Sequence, residues 1–451
     1  MHQLLHLLIV DHDGRTALAD MHDKKWLLPI VSCSERIRAV SVIQRWAERQ
    51  NVDGEMIGQW LGRVTVNADA IDWLVVVRAT ARAFRASSPQ LSWIPLESLR
   101  ASDSMFHYQG WAISRATTDG RSPEVPGPFG TLAWPDCINA WIENVAGTDA
   151  RIAVVYRAGP YELVSAVSTR DGPAYFKGLA PGRASEARLT SVLAAAMPES
   201  FAPTRVLTPQ ADGSTWWLAA GCAGTPLARC LTPEQTQRVA GACARVQNKT
   251  ATLPIPAADL PHLDLPDAAA WSIDLLRRTD RIDDVDESCG AIASAFDDVN
   301  KLLAPYVWIP MDLDPANVLI GDDGAVRFID LDDSYLGPAA LAMATFGRRV
   351  RRLDSNGAIA IEALYQAYEQ SWSWSPLGRG AWQTLEIVSM VLEAHHGWQR
   401  VVENAARAEL YGPIDLIAER IAQRLARAFK TQTEVACPVI SKPVPGYARR
   451  I

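Results

Sequence analysis

The sequence lacks several features that would assign the protein to a specialised class. Its 451 residues include seven cysteines, which are scattered singly without a Cys-x-x-Cys pair, so neither a disulfide framework nor a zinc site is expected. No apolar run approaches the roughly 20 residues that a membrane-spanning helix needs. The N-terminal segment has no basic lead and no small-residue cleavage site, which predicts a first strand and not a signal peptide.

Excess positive charge is also absent. The formal net charge is −7 at pH 7, which gives no electrostatic argument for binding nucleic acid or an anionic membrane. Apolar residues make up 48% of the chain and charged residues 21%, as in ordinary soluble globular proteins. The length suffices for about two to four domains. We therefore expect a cytoplasmic protein built of several globular domains.

The most informative stretch is 308–333. It contains two apolar runs, 318–320 and 326–329, separated by the Gly-Asp-Asp-Gly segment 321–324. Asp-Gly between two apolar runs is typical of a β-hairpin. The sequence therefore predicts two short antiparallel strands here.

Three polar residues surround this hairpin. Asn317 precedes its first strand, Asp330 follows its second, and Asp312 lies on the loop before them. Both flanking residues fall at the open end of the hairpin, roughly 5 Å apart if they pair directly. Converging oxygen ligands suit Mg²⁺, which often takes one or two carboxylates together with substrate phosphates.

This arrangement resembles the catalytic centre of the aminoglycoside phosphotransferase branch of the protein-kinase-like fold. The family reads His-Gly-Asp-x-His-Pro-x-Asn, then a hairpin, then Ile-Asp. The matching positions here are Asp312, Pro315, Asn317 and Ile329-Asp330. The resemblance implies that Asp312 orients or deprotonates a substrate hydroxyl, and that Asn317 and Asp330 hold Mg²⁺ on the ATP phosphates.

The sequence departs from the family pattern in the same loop. Pro310-Met311 replaces the family's His-Gly, and Asp314 replaces its second His. Losing the histidines removes hydrogen bonds that brace the loop. This leaves a second interpretation open, a pseudokinase that binds nucleotide or a metabolite as a sensor without turnover.

Three predicted strands, 152–156, 163–168 and 174–179, lie upstream of this motif. In the family, a Lys on the third strand holds the α- and β-phosphates and pairs with a Glu on the next helix. The resemblance assigns these roles to Lys177 and Glu186. Taken alone, Lys177 would be read as a surface charge, and Glu186 as a residue that complements the helix dipole.

Two further segments resemble parts of an ATP site. The loop between the first two strands of this lobe, 157–162, should lie over the phosphates, but only Gly159 can bring bare backbone close. We therefore expect Lys177 and Mg²⁺ to carry more of the phosphate contact. Segment 215–227 resembles the hinge, where backbone groups of Ala220 to Cys222 would bind the adenine edge.

Residues 1–115 have the order of a Nudix domain. A Trp-x-x-Pro segment, Trp26–Pro29, precedes a predicted helix at 34–50, and Trp93–Leu99 carries a Trp-x-Pro-Leu-x-x-Leu pattern. The catalytic signature itself is degenerate, since only Glu48 remains of its acidic part. A generic mixed α/β domain is the alternative.

This degenerate signature predicts that the first domain has no Nudix hydrolase activity. The only acids of its helix, Glu35 and Glu48, would lie roughly 20 Å apart along the axis. They cannot share a metal ion. A packing, dimerisation or substrate-recognition role is expected instead.

The predicted fold class is α/β and α+β multidomain, with a bilobal protein-kinase-like fold preceded by a Nudix-like α/β domain. The expected domains are 1–115 (Nudix-like), 116–150 (linker and short helix), 151–227 (small β-rich lobe with hinge), 228–430 (large helical lobe) and 431–451 (extended tail). The expected function is ATP- and Mg-dependent phosphorylation of a small-molecule hydroxyl on a sugar, an amino-sugar or an antibiotic- or natural-product-like acceptor. Neither nucleic acid nor membrane is expected as a partner, and a homodimer through the first domain is left open.

In the resembled family the acceptor pocket lies against the C-terminal helices. Aromatic and acidic residues there would suit a sugar or a polar cation, although core packing is the better single explanation for each Trp. A protein acceptor is a third interpretation, which the short loop after Asp330 disfavours. The candidates are Trp372, Trp374, Trp382, Glu386, Glu393, His395, His396 and Trp398.

Overall fold

The computed structural model of the chain divides into two compact units. The first comprises 1–184, 205–221 and 406–412, and the second comprises 185–204, 222–405 and 413–451. The residues that the structure describes are 2–10, 15–22, 25–34, 39–49, 57–67, 70–78, 91–95, 98, 134–158, 162–181, 183–279, 285–301, 305–354, 356–374, 376–402, 418–419, 421–423 and 425.

The first unit begins with a seven-stranded mixed sheet. Its strands are β1 (His2–Val10), β2 (Thr16–His22), β3 (Lys25–Leu27), β4 (Ile30–Ser34), β5 (Ile57–Asn67), β6 (Ala70–Arg78) and β7 (Leu91–Pro95). β1 pairs antiparallel with β2 and β4 and parallel with β6. The first strand that the sequence predicts is present as β1.

A small core forms between this sheet and helix α1 (Ala39–Arg49). Leu5, Leu7 and Ile9 alternate along β1 and are completely buried against Val42 and Ile43 of the helix. The period of two is that of a strand whose alternate side chains face one layer. The apolar face of α1 is therefore the face that packs against the sheet.

The first unit also contains a five-stranded antiparallel sheet preceded by a helix. These elements are α2 (Trp134–Ala146), β8 (Arg151–Ala158), β9 (Glu162–Thr169), β10 (Gly172–Leu179), β11 (Thr204–Pro209) and β12 (Thr215–Ala220). The sheet order is β11-β12-β10-β9-β8. The three strands predicted for this region are confirmed. Ile138 and Ile142 of α2 pack with Phe176 of β10 in one apolar cluster.

The second unit is mainly helical. Its helices are α3 (Ser185–Ala196), α4 (Pro233–Thr250), α5 (Leu265–Arg277), α6 (Val285–Lys301), α7 (Ala340–Leu353), α8 (Ile361–Trp372) and α9 (Arg379–Val402). Its short strands are β13 (Thr225–Pro226), β14 (Tyr306–Pro310), β15 (Val318–Ile320), β16 (Val326–Phe328) and β17 (Ser334–Pro338). Nowhere in the described parts of the chain is a helix both long and apolar enough to cross a membrane.

A buried polar network holds β14 and the start of α7 together. The Gln247 side chain of α4 is inaccessible and donates to the carbonyls of Trp308 and Ala339, at 3.1 Å each. Tyr368 of α8 donates through its hydroxyl to the Gln247 side-chain oxygen and also contacts the Ala339 carbonyl. Since a buried amide needs partners, these bonds fix strand and helix relative to α4.

Close packing sets the position of α7 against α8. A Cβ on Gly347 would overlap the hydroxyl of Tyr365, so only glycine admits that ring beside the helix. The segment that follows Asp330 contains α7, a helix that the sequence pattern did not predict.

The predicted domain boundaries stay a prediction. The linker at 116–133 and the tail at 431–451 lie outside the described residues, as does most of the helix predicted at 413–430. The short helix predicted after the linker is present as α2.

Candidate active site

The predicted hairpin is present. β15 pairs antiparallel with β16, with Val318 opposite Phe328. The turn closes with a hydrogen bond from the Gly321 N–H to the Ala325 carbonyl at 2.9 Å, and Gly324 has φ +75°. The Asp-Gly signal therefore identified the turn correctly, because the positive φ at its end favours glycine.

The two polar residues at the open end are offset by one position. The Ile329 N–H donates to the Asn317 carbonyl at 3.0 Å, so Asn317 lies opposite Ile329, and a direct pairing with Asp330 is wrong by one residue. Asp330 follows with φ +61°, a left-handed conformation that is costly for a residue with a side chain. Such a conformation persists only where the surrounding structure imposes it, and is common at functional sites.

The side chain of Asn317 is held in one orientation. Its Nδ2 donates to the carbonyl oxygen and to Oδ2 of Asp312, at 3.1 Å each. Both amide hydrogens are thereby used, and the amide oxygen remains available for a ligand. That oxygen and the exposed Asp330 carboxylate fit Mg²⁺ bound mainly by nucleotide phosphates. In the described part of the chain, no group of three or more His, Cys, Asp or Glu side chains could hold a metal ion.

Asp314 braces the loop where the resembled family has a histidine. Its carboxylate accepts from the Ala316 N–H at 2.9 Å and so caps the single 3-10 turn at 315–317. Its carbonyl accepts from the Asn317 N–H at 2.7 Å. The loop therefore has local hydrogen bonds of its own in place of those a histidine would make.

Pro310-Met311, which replaces His-Gly, is built into the sheet. Pro310 ends β14 opposite Ser334, and the Met311 N–H donates to the Asp333 carbonyl at 2.7 Å. The Met311 side chain is buried. Backbone pairing and apolar packing thus fix the segment that enters the loop.

Arg349 of α7 is the main site residue that the sequence did not reveal. Its Nη1 forms ion pairs with Oδ1 of Asp312 and, at 3.2 Å, with Oδ2 of Asp314, and its Nη2 contacts Glu393 of α9 at 2.8 Å. The only sequence signal for a role of Arg349 is the run of arginines at the end of α7. Such a run more often forms a solvated surface.

The electrostatics of Arg349 follow from its burial. Its side chain is only 8% exposed, whereas its carboxylate partners are 24–38% exposed. Burial by itself lowers the pKa of the guanidinium, but the attraction of Glu393 and Asp312 outweighs it and the pKa is raised. Arg349 is thus a fixed positive charge that holds Asp312 between α7 and Asn317.

Lys177 and Glu186 are both buried. Lys177 lies on β10 between Val164 and Trp217 and is 8% exposed, while Glu186 lies in the first turn of α3 and is 2% exposed. Since buried charges are paired, burial argues against the surface-charge interpretation of Lys177. The two residues belong to different units, and their pairing stays a prediction.

The remaining nucleotide-site candidates differ in what the structure describes. Gly159 lies outside the described residues. Ala220 ends β12 opposite Ala174, and the Gly221 N–H is engaged by the Pro173 carbonyl at 2.8 Å. Cys222 is partly buried, and burial raises the pKa of its thiol while Arg327 opposes the shift. Their roles at an adenine edge stay a prediction.

The acidic residues that were candidates for binding a cationic acceptor are already paired. Both oxygens of Glu386 contact Arg351, at 2.8 and 2.9 Å, and Tyr365 donates to the same carboxylate. Glu393 contacts both Arg348 and Arg349. Neither glutamate therefore presents a free carboxylate.

Most of the aromatic residues that were candidates for binding the acceptor pack against other aromatic side chains. The rings of Trp382 and Tyr365 stack 3.9 Å apart and both are buried, and Trp372 stacks on Trp374. The two adjacent histidines have different partners: His395 contacts Asp267, whereas His396 stacks on Tyr335.

A cavity of about 560 Å³ opens beside this stack. It is lined by the end of α7, by α8 and by the start of α9, and Glu386 forms part of its wall. Its lining does not include Asp312, Asn317 or Asp330. The cavity is thus separate from the loop that contains Asp312.

We predict that Arg349→Met destabilises the protein by about 3 kcal/mol. Removing one partner of a buried ion pair costs about 3–5 kcal/mol, and the partial exposure of the three carboxylates reduces that figure. Urea unfolding would measure the change. The control is Arg278→Met, which breaks an exposed pair with Asp274 and should cost under about 0.5 kcal/mol. Equal effects of the two substitutions would contradict the assignment.

Solved kinases and phosphotransferases resemble the chain at low identity. A choline kinase, LicA from Streptococcus pneumoniae, is 11% identical over 65% of this chain and 98% of that chain, with a TM-score of 0.46. A choline/ethanolamine kinase family protein from Mesorhizobium loti is 15% identical over 66% of this chain and 99% of that chain, with a TM-score of 0.44. An aminoglycoside phosphotransferase from Alicyclobacillus acidocaldarius is 15% identical over 63% of this chain and 93% of that chain, with a TM-score of 0.38. At such values no argument about activity rests on these three structures.

The sequence match to a family is more informative. No curated protein sequence matches the chain significantly. The comparisons lend no support to the Nudix-like prediction for 1–115. The phosphotransferase enzyme family model, APH, matches residues 153–380, which is half of the chain and contains the whole loop from Asp312 to Asp330. The chain therefore belongs to the phosphotransferase enzyme family, and it is a small-molecule kinase that phosphorylates a hydroxyl group.

Proposed function

We propose that the protein transfers the γ-phosphoryl group of ATP, with Mg²⁺, to a hydroxyl of a sugar, an amino-sugar or a natural-product-like acceptor. The observation that carries the proposal is that the Asp312 side chain is held in place and still accessible. Its two carboxylate oxygens are held by Arg349 and Asn317, yet its side chain is 38% exposed. A general base or orienting group must be both fixed and reachable.

The proposed reaction follows from these positions. The acceptor hydroxyl oxygen bonds to the γ-phosphorus, the bond from that phosphorus to the β,γ-bridging oxygen breaks, and ADP leaves. Asp312 orients the hydroxyl and receives its proton. Asn317 and Asp330 would hold Mg²⁺, which supplies charge neutralisation on the phosphates when bound. Such a site works by positioning and electrostatics.

The nucleotide contacts are assigned by the family resemblance and by burial. Lys177 would hold the α- and β-phosphates, and Glu186 would keep its ammonium group in place. Backbone groups of Ala220 and Cys222 would bind the adenine edge, and Gly159 would lie over the phosphates. The burial of Lys177 and Glu186 supports the first two roles. ATP supply and the scattered cysteines favour a cytoplasmic location.

The contacts of the loop that contains Asp312 favour an active kinase over a pseudokinase. The pseudokinase interpretation rested on the missing histidines and on the glycine-poor phosphate loop, of which residues 159–161 lie outside the described residues. Asp314 and Arg349 supply hydrogen bonds and ion pairs to the same loop, and Pro310-Met311 is held by β-pairing. These contacts support the proposal that the loop keeps its geometry without the family's histidines.

We predict that Asp312→Asn lowers kcat by about 10² to 10⁴ while leaving the Kd for Mg·ATP nearly unchanged. Asp330→Asn should instead abolish Mg-dependent nucleotide binding. ATP consumption and titration calorimetry would separate the two effects. Asp322→Asn in the exposed hairpin turn is the matched control and should behave as wild type. Full activity of Asp312→Asn would refute the mechanism.

A second prediction concerns Lys177. Lys177→Met should lower kcat/KM for ATP by about 10²-fold or more, since a fixed charge on the phosphates is lost. Thermal unfolding would show whether the protein remains folded, and Tm should fall far less than activity does. Lys249→Met, at the exposed end of α4, is the control. An unchanged KM and kcat for ATP would remove Lys177 from the site.

For residues 1–115 we propose a packing, dimerisation or substrate-recognition role in a degenerate Nudix-like domain. Glu48 is the only acid in the described helix α1, and it is exposed beside Arg45 and Arg49. A lone carboxylate next to two cations is a poor ligand for a divalent metal. The apolar face of the helix, in contrast, is intact.

The full-length protein should accordingly release no monophosphate from nucleoside diphosphate derivatives that lack a transferable phosphoryl group. We expect Glu48→Gln to change neither stability nor any phosphate release, because Glu48 is exposed. The assay would use a panel of such compounds with Mg²⁺ or Mn²⁺ and would quantify monophosphate by chromatography. Metal-dependent cleavage that Glu48→Gln eliminates would show this view of the domain to be wrong.

A further inference from the structure

Four arginines lie in the last turns of α7, and they make unequal contacts. Arg348 and Arg349 are largely buried and pair with Glu393, and Arg349 also reaches the catalytic loop. Arg351 makes a two-pronged pair with Glu386. Among the described residues, Arg352 has one ionic neighbour, Asp314 at 3.9 Å, and its side chain is 59% exposed.

The ion-paired cluster that contains Asp312 has as many guanidinium groups as carboxylates. Two other carboxylates lie in the same cluster, and each faces two guanidinium groups: Asp314 faces Arg349 and Arg352, and Glu393 faces Arg348 and Arg349. Three arginines thus match three carboxylates. An ammonium group of an acceptor would have to displace a guanidinium from one of them, so this surface does not favour a cation.

The same cluster has hydrogen-bond donors to spare. Arg352 makes no hydrogen bond to any described residue, since its distance to Asp314 is that of an ion pair only. The Nε of Arg349 is buried and has no hydrogen-bond acceptor among the described residues. A guanidinium presents a planar set of donors that matches carboxylate and phosphate oxygens. Since the Arg349 Nε is buried, the accessible donors are those of Arg352, and an exposed guanidinium beside the loop of Asp312 and Asp314 favours an anion.

A simpler explanation of Arg352 is that it complements the dipole at the C-terminus of α7. Arg351 lies in the same turn, is similarly exposed at 54%, and complements the same dipole. Arg351 is already fully engaged by Glu386, whereas Arg352 points to the loop of Asp312 and Asp314. The helix dipole thus does not explain why Arg352 and Arg351 differ in their contacts. Arg351 is therefore the control for substitutions of Arg352.

We propose that the acceptor carries an anionic group, a carboxylate or a phosphate, near the hydroxyl that is phosphorylated, and that Arg352 binds this group. The inference rests on the proposed function of Asp312. It narrows the acceptor class and excludes an amino-sugar without an acidic group. Asp312 orients the hydroxyl while Arg352 holds the anion on the neighbouring side of the loop.

The first test identifies the charge of the acceptor. A deproteinised metabolite extract of the cells in which the protein occurs is divided by ion exchange at neutral pH into anionic, cationic and unretained fractions. Each fraction is incubated with γ-labelled ATP, Mg²⁺ and the full-length protein, with Asp312→Asn as the blank. A labelled product other than inorganic phosphate is expected from the anionic fraction.

The other outcomes separate the two hypotheses. A product formed only from the cationic or unretained fraction overturns the anionic acceptor and leaves the kinase function standing. The absence of a product in every fraction rejects the proposed function and the inference with it. Treating the anionic fraction with immobilised alkaline phosphatase beforehand distinguishes the two anions: loss of the product identifies a phosphate ester, and its persistence identifies a carboxylate.

The second test assigns the anion to Arg352. With the anionic acceptor, Arg352→Met should raise the acceptor KM by about tenfold to a hundredfold, the value of a hydrogen bond to a charged group, with kcat and the KM for ATP nearly unchanged. Arg352→Lys should recover part of the loss. Arg351→Met should leave the acceptor KM unchanged even if it lowers Tm. An unchanged acceptor KM in Arg352→Met would overturn the assignment.

Discussion

One buried guanidinium fixes the geometry of the loop that contains Asp312 and Asp314. Arg349 extends from α7 and contacts Asp312, Asp314 and Glu393, so it links the loop, α7 and α9 at a single point. A buried charge of this kind is stable only while its partners stay in place. The position of Asp312 is therefore set by the packing of two helices rather than by the loop alone.

Other parts of the second unit hold that point in place. Gln247 and Tyr368 tie the strand before the loop to the start of α7, and Gly347 lets α8 pack closely against the same helix. At the open end of the hairpin, Asp330 is kept in a left-handed conformation. Rigid support of this kind allows a loop without the family's histidines to hold its acidic residues in order.

The parts of the site that the sequence predicted are local ones. The Asp-Gly turn and the alternating apolar runs specify the hairpin, and the spacing of Asp312, Asn317 and Asp330 places them at its open end. The one-residue offset of Asn317 from Asp330 could not be read from the pattern, because register depends on the ladder itself.

Arg349 was beyond such reasoning for a different reason. It contacts Asp312 across 37 residues of sequence, from a helix that the apolar pattern did not reveal. The pairing of Glu386 and Glu393 with arginines was equally invisible, so the sequence overstated the free negative charge on α9. Local periodicity predicts elements, whereas ion pairs between elements depend on how those elements pack.

The most direct test of the account is a double-mutant cycle between Asp312 and Arg349. The cycle compares kcat/KM for ATP turnover in wild type, Asp312→Asn, Arg349→Met and the double variant. If Arg349 acts by holding Asp312, the second substitution should cost little once the first is made, since residues that act as a unit are strongly non-additive. Losses that simply add would contradict the claim that Arg349 positions the catalytic aspartate.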